Sequence, residues 1–100
     1  MEIEMLRVPV ISTGHLTEET RRRLDAERNG NPWVPLAAWE HGYFMFVDDP
    51  SGEREEVPAD IQALADWWRK HEAAGRFDNS RWIRLDCDGE TAGDLPTYDW

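Results

Sequence analysis

A chain of 100 residues, with 40% hydrophobic and 11% aromatic side chains, suits one domain with a small core, and this composition argues against global disorder despite 32% charged residues. Its 21 acidic and 11 basic residues leave a net charge of −10 with histidines neutral, which opposes binding to a phosphate backbone or an anionic membrane and favours a basic partner. The single cysteine, Cys87, excludes an intrachain disulfide, and no run approaches the ~18 apolar residues of a membrane span; the acidic start from Met1 to Val10 does not read as a signal peptide, so a cytoplasmic setting is expected.

In chain order, Leu6 to Ser12 is a short β-branched run that predicts a first strand, with Pro9 marking an edge or a bulge because it has no amide to donate. Thr17 is placed to cap a helix whose first turn holds Glu18 and Glu19, where carboxylates oppose the positive end of the dipole. That helix runs to about Arg28, with Leu16, Thr20 and Leu24 as a thin apolar stripe and Gly30 and Pro32 beyond its end. Leu36 to Trp39 and Tyr43 to Val47 predict a hairpin around Glu40-His41-Gly42. Asp48 to Glu56, with Pro50 and Gly52, reads as a solvated loop. Pro58 suits the start of a second helix, on which Val57, Ile61, Leu64 and Trp68 share a face until Gly75. Arg81 to Asp88 alternates, with Trp82, Arg84 and Asp86 on one side and Ile83, Leu85 and Cys87 on the other, as a half-buried strand does. The tail from Gly89 to Trp100 is ordered if Leu95, Tyr98 and Trp100 pack back. The order β-α-β-β-α-β predicts an α+β fold in one domain: a sheet of about four strands with two helices on one face, the split βαβ or ferredoxin-like arrangement, with the strand order left open.

Three segments, Ile11-Ser12-Thr13-Gly14-His15-Leu16-Thr17, Glu40-His41-Gly42-Tyr43-Phe44-Met45-Phe46-Val47 and the closing Asp94-Leu95-Pro96-Thr97-Tyr98-Asp99-Trp100, carry a resemblance. Together they resemble an uncharacterised family of short bacterial proteins, a domain of unknown function met on plasmids and other mobile elements. The resemblance implies a cytoplasmic accessory protein, with a pointer to countering host defence, and assigns no catalytic residue.

Among side chains able to carry chemistry, His15, His41, Asp86, Asp88 and Asp99 lie at predicted element ends, where imidazoles and carboxylates can hold a divalent metal or divide acid and base roles. Loop caps and salt bridges to Arg81 or Arg84 account for the same acids without a site. Thr13-Gly14-His15 precedes a helix but lacks the lysine and spaced glycines of a phosphate loop. Cys87 alternates with core positions and is expected to be buried and inert. Arg21, Arg22 and Arg23 are neutralised by Glu18, Glu19, Asp25 and Glu27 within about a helical turn.

The acids are concentrated. Asp48, Asp49, Glu53, Glu55, Glu56, Asp60 and Asp66 face Arg54 alone, and Asp86, Asp88, Glu90, Asp94 and Asp99 follow with no base after them. If the two segments meet, they form a negative surface able to imitate a nucleic-acid backbone, and all of these except Asp99 are the candidate partner-binding residues. Trp67 and Trp68 point about 100° apart on a helix, so one of them is a candidate interface anchor. The expected function is a non-enzymatic acidic interaction protein, such as an anti-CRISPR or anti-restriction inhibitor, with no cofactor and no direct contact with nucleic acid or membrane. The alternatives are a small metal-dependent hydrolase using His15, His41, Asp86 and Asp88, and a homodimeric accessory protein.

Overall fold

The computed structural model describes residues 3, 7–47, 50, 55–76 and 81–98. Its elements are β1 (Val10–Ser12), α1 (Glu18–Glu27), β2 (Leu36–Trp39), β3 (Gly42–Phe46), α2 (Ala59–Ala73) and β4 (Trp82–Asp86), with short 3₁₀ turns at Thr13–His15 and Arg28–Gly30. The fold is α+β, with one four-stranded mixed sheet and two helices, as the sequence pattern predicts. Across the sheet the order is β1-β4-β3-β2. β1 runs parallel to β4, with Val10 opposite Arg84, while the β4–β3 and β3–β2 pairs are antiparallel. A ferredoxin-like sheet would seat β1 in the interior; here, among the described residues, it stands at the edge beside β4. The edge place suits a strand that starts only after Pro9, whose carbonyl accepts from Arg84 N at 2.9 Å while its own nitrogen donates nothing.

Alternation sorts the strands into two faces. Ile11, Leu36, Tyr43, Met45, Ile83 and Leu85 are buried and join Leu24 of α1 and Ile61, Leu64, Ala65 and Trp68 of α2 in one hydrophobic core. The buried Tyr43 hydroxyl donates to Asp25 on α1, which ties that helix to the inner face. Burial first, and then the hydrogen bond to Asp25, raise the Tyr43 hydroxyl well above its ordinary range. Gly42 is required by close approach: a Cβ there would lie 1.8 Å from the Leu85 carbonyl oxygen.

The helices begin where their caps dictate. The Thr17 side chain accepts from Thr20 N at 3.2 Å, and Pro58 precedes the first turn of α2. α1 carries the expected pairs Arg22–Glu18, Arg23–Glu27 and Arg21–Asp25. Asn31 then fixes the chain between α1 and β2. Its Nδ2 donates to the Arg28 and Val34 carbonyls at 2.7 and 2.9 Å, and its Oδ1 accepts from the amides of Trp33 and Val34 at 2.9 and 3.0 Å. That satisfied amide turns Trp33 and Val34 into the core.

Among the described residues, no helix is long and apolar enough to cross a membrane.

Candidate functional site

The alternation that fills the core also places large side chains on the opposite face of the sheet. β3 and β4 contribute Phe44, Phe46, Trp82, Arg84 and Asp86, and β2 and β1 add Trp39 and Val10. Val10, Trp39 and Phe44 are 47%, 37% and 36% exposed, and no described helix lies over them. The rings fall into two groups on this face. Phe46 meets Trp82 edge-on with centroids 5.2 Å apart, Trp39 and Phe44 lie 6.5 Å apart, and His41 stands edge-on to Trp39 at 5.1 Å.

Arg84 lies across this surface. Its guanidinium carbon is 4.8 Å from the Trp39 centroid and 5.7 Å from that of Phe44, and its Nη2 donates to Asp86 Oδ2 at 3.1 Å. Each cation–ring contact is worth about 0.5–1 kcal/mol at an exposed site, and Asp86 neutralises the cation. The result is an aromatic face with one internal ion pair. Glu40, Asp86 and Asp88 gather at its Trp39 end, and Arg7 and Arg81 lie toward its Trp82 end.

The candidate acids fall into separate groups. Asp48, Asp49 and Glu53 lie outside the described residues. Glu55 and Glu56 are exposed before α2, and Glu55 pairs with Arg23 at 2.7 Å. They help line a cavity of about 350 Å³ between the starts of α1 and α2, together with Thr17, Trp33, Asp60 and Tyr98. Asp66 and Asp94 border a shallow groove with Trp67 and Lys70. Asp86 ends β4, and Asp88 and Glu90 follow it in the turn beyond.

Asp60 departs from its expected role on a partner-binding surface. It is 3% exposed, and its carboxylate accepts from Thr17 N at 2.8 Å, Thr20 Oγ1 at 3.0 Å and Ile61 N at 3.0 Å. A carboxylate at the first turn of α2 also meets the start of α1, so both helix dipoles favour it there. Asp60 joins helices and presents no charge to solvent. Asp94 is likewise held from within, by Trp67 Nε1 at 2.8 Å, His71 Nε2 at 2.7 Å and Lys70 Nζ at 3.3 Å. The hydrogen bond from His71, and next that from Trp67, hold its carboxyl well below the usual range. Trp67, a candidate anchor, therefore serves the tail, while Trp68 is in the core.

Nor do the candidate catalytic residues stand as one constellation. His15 is 2% exposed; its Nδ1 donates to the Pro96 carbonyl at 2.7 Å and its Nε2 accepts from Ala92 N at 2.9 Å. Both ring nitrogens are committed to the tail, Nδ1 as donor and Nε2 as acceptor. His41 is exposed in the hairpin and meets Glu40 at 2.9 Å. Asp86 and Asp88 do come together, and with Cys87 they offer ligand atoms within 4.8 Å of one another. Asp86 is already engaged by Arg84 and by Asp88 N at 2.9 Å. Cys87 is exposed, not buried, because β4 stops at Asp86 and the chain turns there, with Gly89 N donating to the Asp86 carbonyl at 3.0 Å. Asp99 lies outside the described residues.

The tail is built into the body, with Ala92 and Leu95 packed against the core and Tyr98 N donating to the Gly14 carbonyl at 2.9 Å. Trp100 is outside the described residues. Sequence reading missed His71, whose signal is its place one helical turn after Trp67.

Fold and surface thus define a small α+β domain whose sheet is packed against both helices on one face and, among the described residues, has no helix over the other. The chain belongs to a family of unknown function, DUF5983, described as a C-terminal domain, which it matches over residues 8–100. No curated protein and no solved structure matches it.

Proposed function

We propose that this chain is a non-enzymatic interaction protein that binds a basic protein surface. In the finer reading it acts in the cytoplasm as a mobile-element product that inhibits a host defence complex, anti-CRISPR or anti-restriction, by occupying a groove that otherwise holds nucleic acid. The carrying observation is the net charge of −10, with Glu56, Asp88 and Glu90 exposed and without a side-chain partner among the described residues. Such charge steers a basic partner over distances set by the Debye length, ~8 Å at physiological salt. The commitment of both His15 nitrogens to the tail favours this reading over a hydrolase built on that imidazole.

The test is binding to purified CRISPR effectors and restriction nucleases, with and without their nucleic acid, across a salt series. The proposal expects binding to at least one nucleic-acid-free complex, weakening with salt and lost when the groove is filled. Binding indifferent to both salt and nucleic acid contradicts the groove-occupying role.

A further inference from the structure

We infer that the face of the sheet opposite the helices docks a basic amphipathic helix, with the helix's apolar stripe on Trp39, Phe44, Phe46 and Trp82 and its cations toward Glu40 and Asp88. The inference rests on the reading of the chain as a binder of basic protein and names the surface and the class of segment it takes.

Sheets with one apolar face normally cover it with another layer, and here the helices cover only the face opposite the rings. With strands about 4.8 Å apart, four strands make a surface about 14 Å across, wide enough for the ~10 Å diameter of one helix. The rings and the Arg84 plane give that helix flat apolar ground, because the Arg84 charge is already answered by Asp86 at 3.1 Å. Direction comes from charge, since the acids gather at the Trp39 end while Arg81 lies beyond Trp82. A helix carrying lysines or arginines over the acidic end is complementary to that gradient and to the whole molecule.

Two other occupants fit less well. A second copy carries a net charge of −10 as well, so the two whole molecules repel at long range. Single-stranded nucleic acid can stack on aromatic sheet residues, but its phosphates meet the same repulsion.

The probe is an 18-residue Leu/Lys helix with its leucines on one stripe. Its control has the same composition, scrambled so that no stripe forms. Binding to the ¹⁵N-labelled full chain is followed by NMR. The indole resonances of Trp39 and Trp82 and the amides of Gly42–Phe46 are expected to shift with the striped peptide, the scrambled one binding at least tenfold more weakly. Phe44→Ser should weaken the striped peptide about tenfold while the resonances of Ile83 and Leu85 stay in place.

Equal binding of both peptides, or shifts confined to Glu55, Glu56 and Asp66, overturns the docking face but leaves a charge-driven binder of basic protein. No binding of either peptide overturns the docking face; if the defence complexes also fail to bind, the functional reading falls with it. Shifts of the same rings with oligo(dT) alone, or with protein concentration alone, replace the helix by nucleic acid or by a second copy.

Discussion

The two faces of the sheet use side chains of similar size for opposite ends. Along β4, Ile83 and Leu85 are fully buried, whereas Trp82, Arg84 and Asp86, which alternate with them, are half-buried. On β3, Met45 is fully buried and its neighbour Phe44 is 36% exposed. Hydrophobicity alone does not separate the faces, since the outer one holds more aromatic surface. The charges threaded among those rings separate them: Arg84 and Asp86 remain reachable by water, while the inner positions admit no charge. Large rings with an ion pair among them suit an interface better than a core.

The largest expected break of this contrast is on the inner face. Leu85→Ala or Ile83→Ala leaves a cavity and should cost about 2–5 kcal/mol, read by urea unfolding, a large share of the stability of a domain this size. Next is Asp60→Ala, which strips the acceptor from Thr17 N, Thr20 Oγ1 and Ile61 N and should cost about 1–3 kcal/mol by the same measurement. On the outer face, Phe44→Ser should cost about 1 kcal/mol or less with an unchanged denaturant slope. If it costs as much as Leu85→Ala, the outer face is a second core and the contrast fails.

The smallest effect sharpens the account at the tail. The Asp94 carboxyl titrates below its unfolded value, so its contribution to stability is present above about pH 4 and is lost as pH falls through the folded value. Thermal melts from pH 6 down to pH 2 should show a steeper acid decline in the wild type than in Asp94→Asn. Equal declines would remove Asp94 from that role.

Much of the fold was legible because local chemistry and tertiary packing agree. Thr17 and Pro58 mark the helix starts, Gly42 sits at the hairpin, and Trp82 to Asp86 keep the alternation they show in the sequence. The strand order was not legible, because β1 is three residues long and its parallel pairing with β4 is a contact across most of the chain. Asp60 looked like its acidic neighbours, and only the arrival of Thr17 and Thr20 beside it explains its burial. Cys87 followed the period of β4 one residue too far. For the candidate site, the acids were visible as composition, but the open face was not, since Trp39 and Phe44 read equally well as core until the helices are seen to share the other side.

The most direct measurement of the central claim is relaxation enhancement by a soluble gadolinium chelate on the free protein and on its complex with the Leu/Lys helix. The account predicts strong enhancement at the rings of Trp39 and Phe44 in the free protein, little at the methyls of Leu85 and Ile83, and loss of the ring enhancement in the complex. Rings in the free protein as protected as Leu85 would show that the chain covers this face itself and would contradict the account.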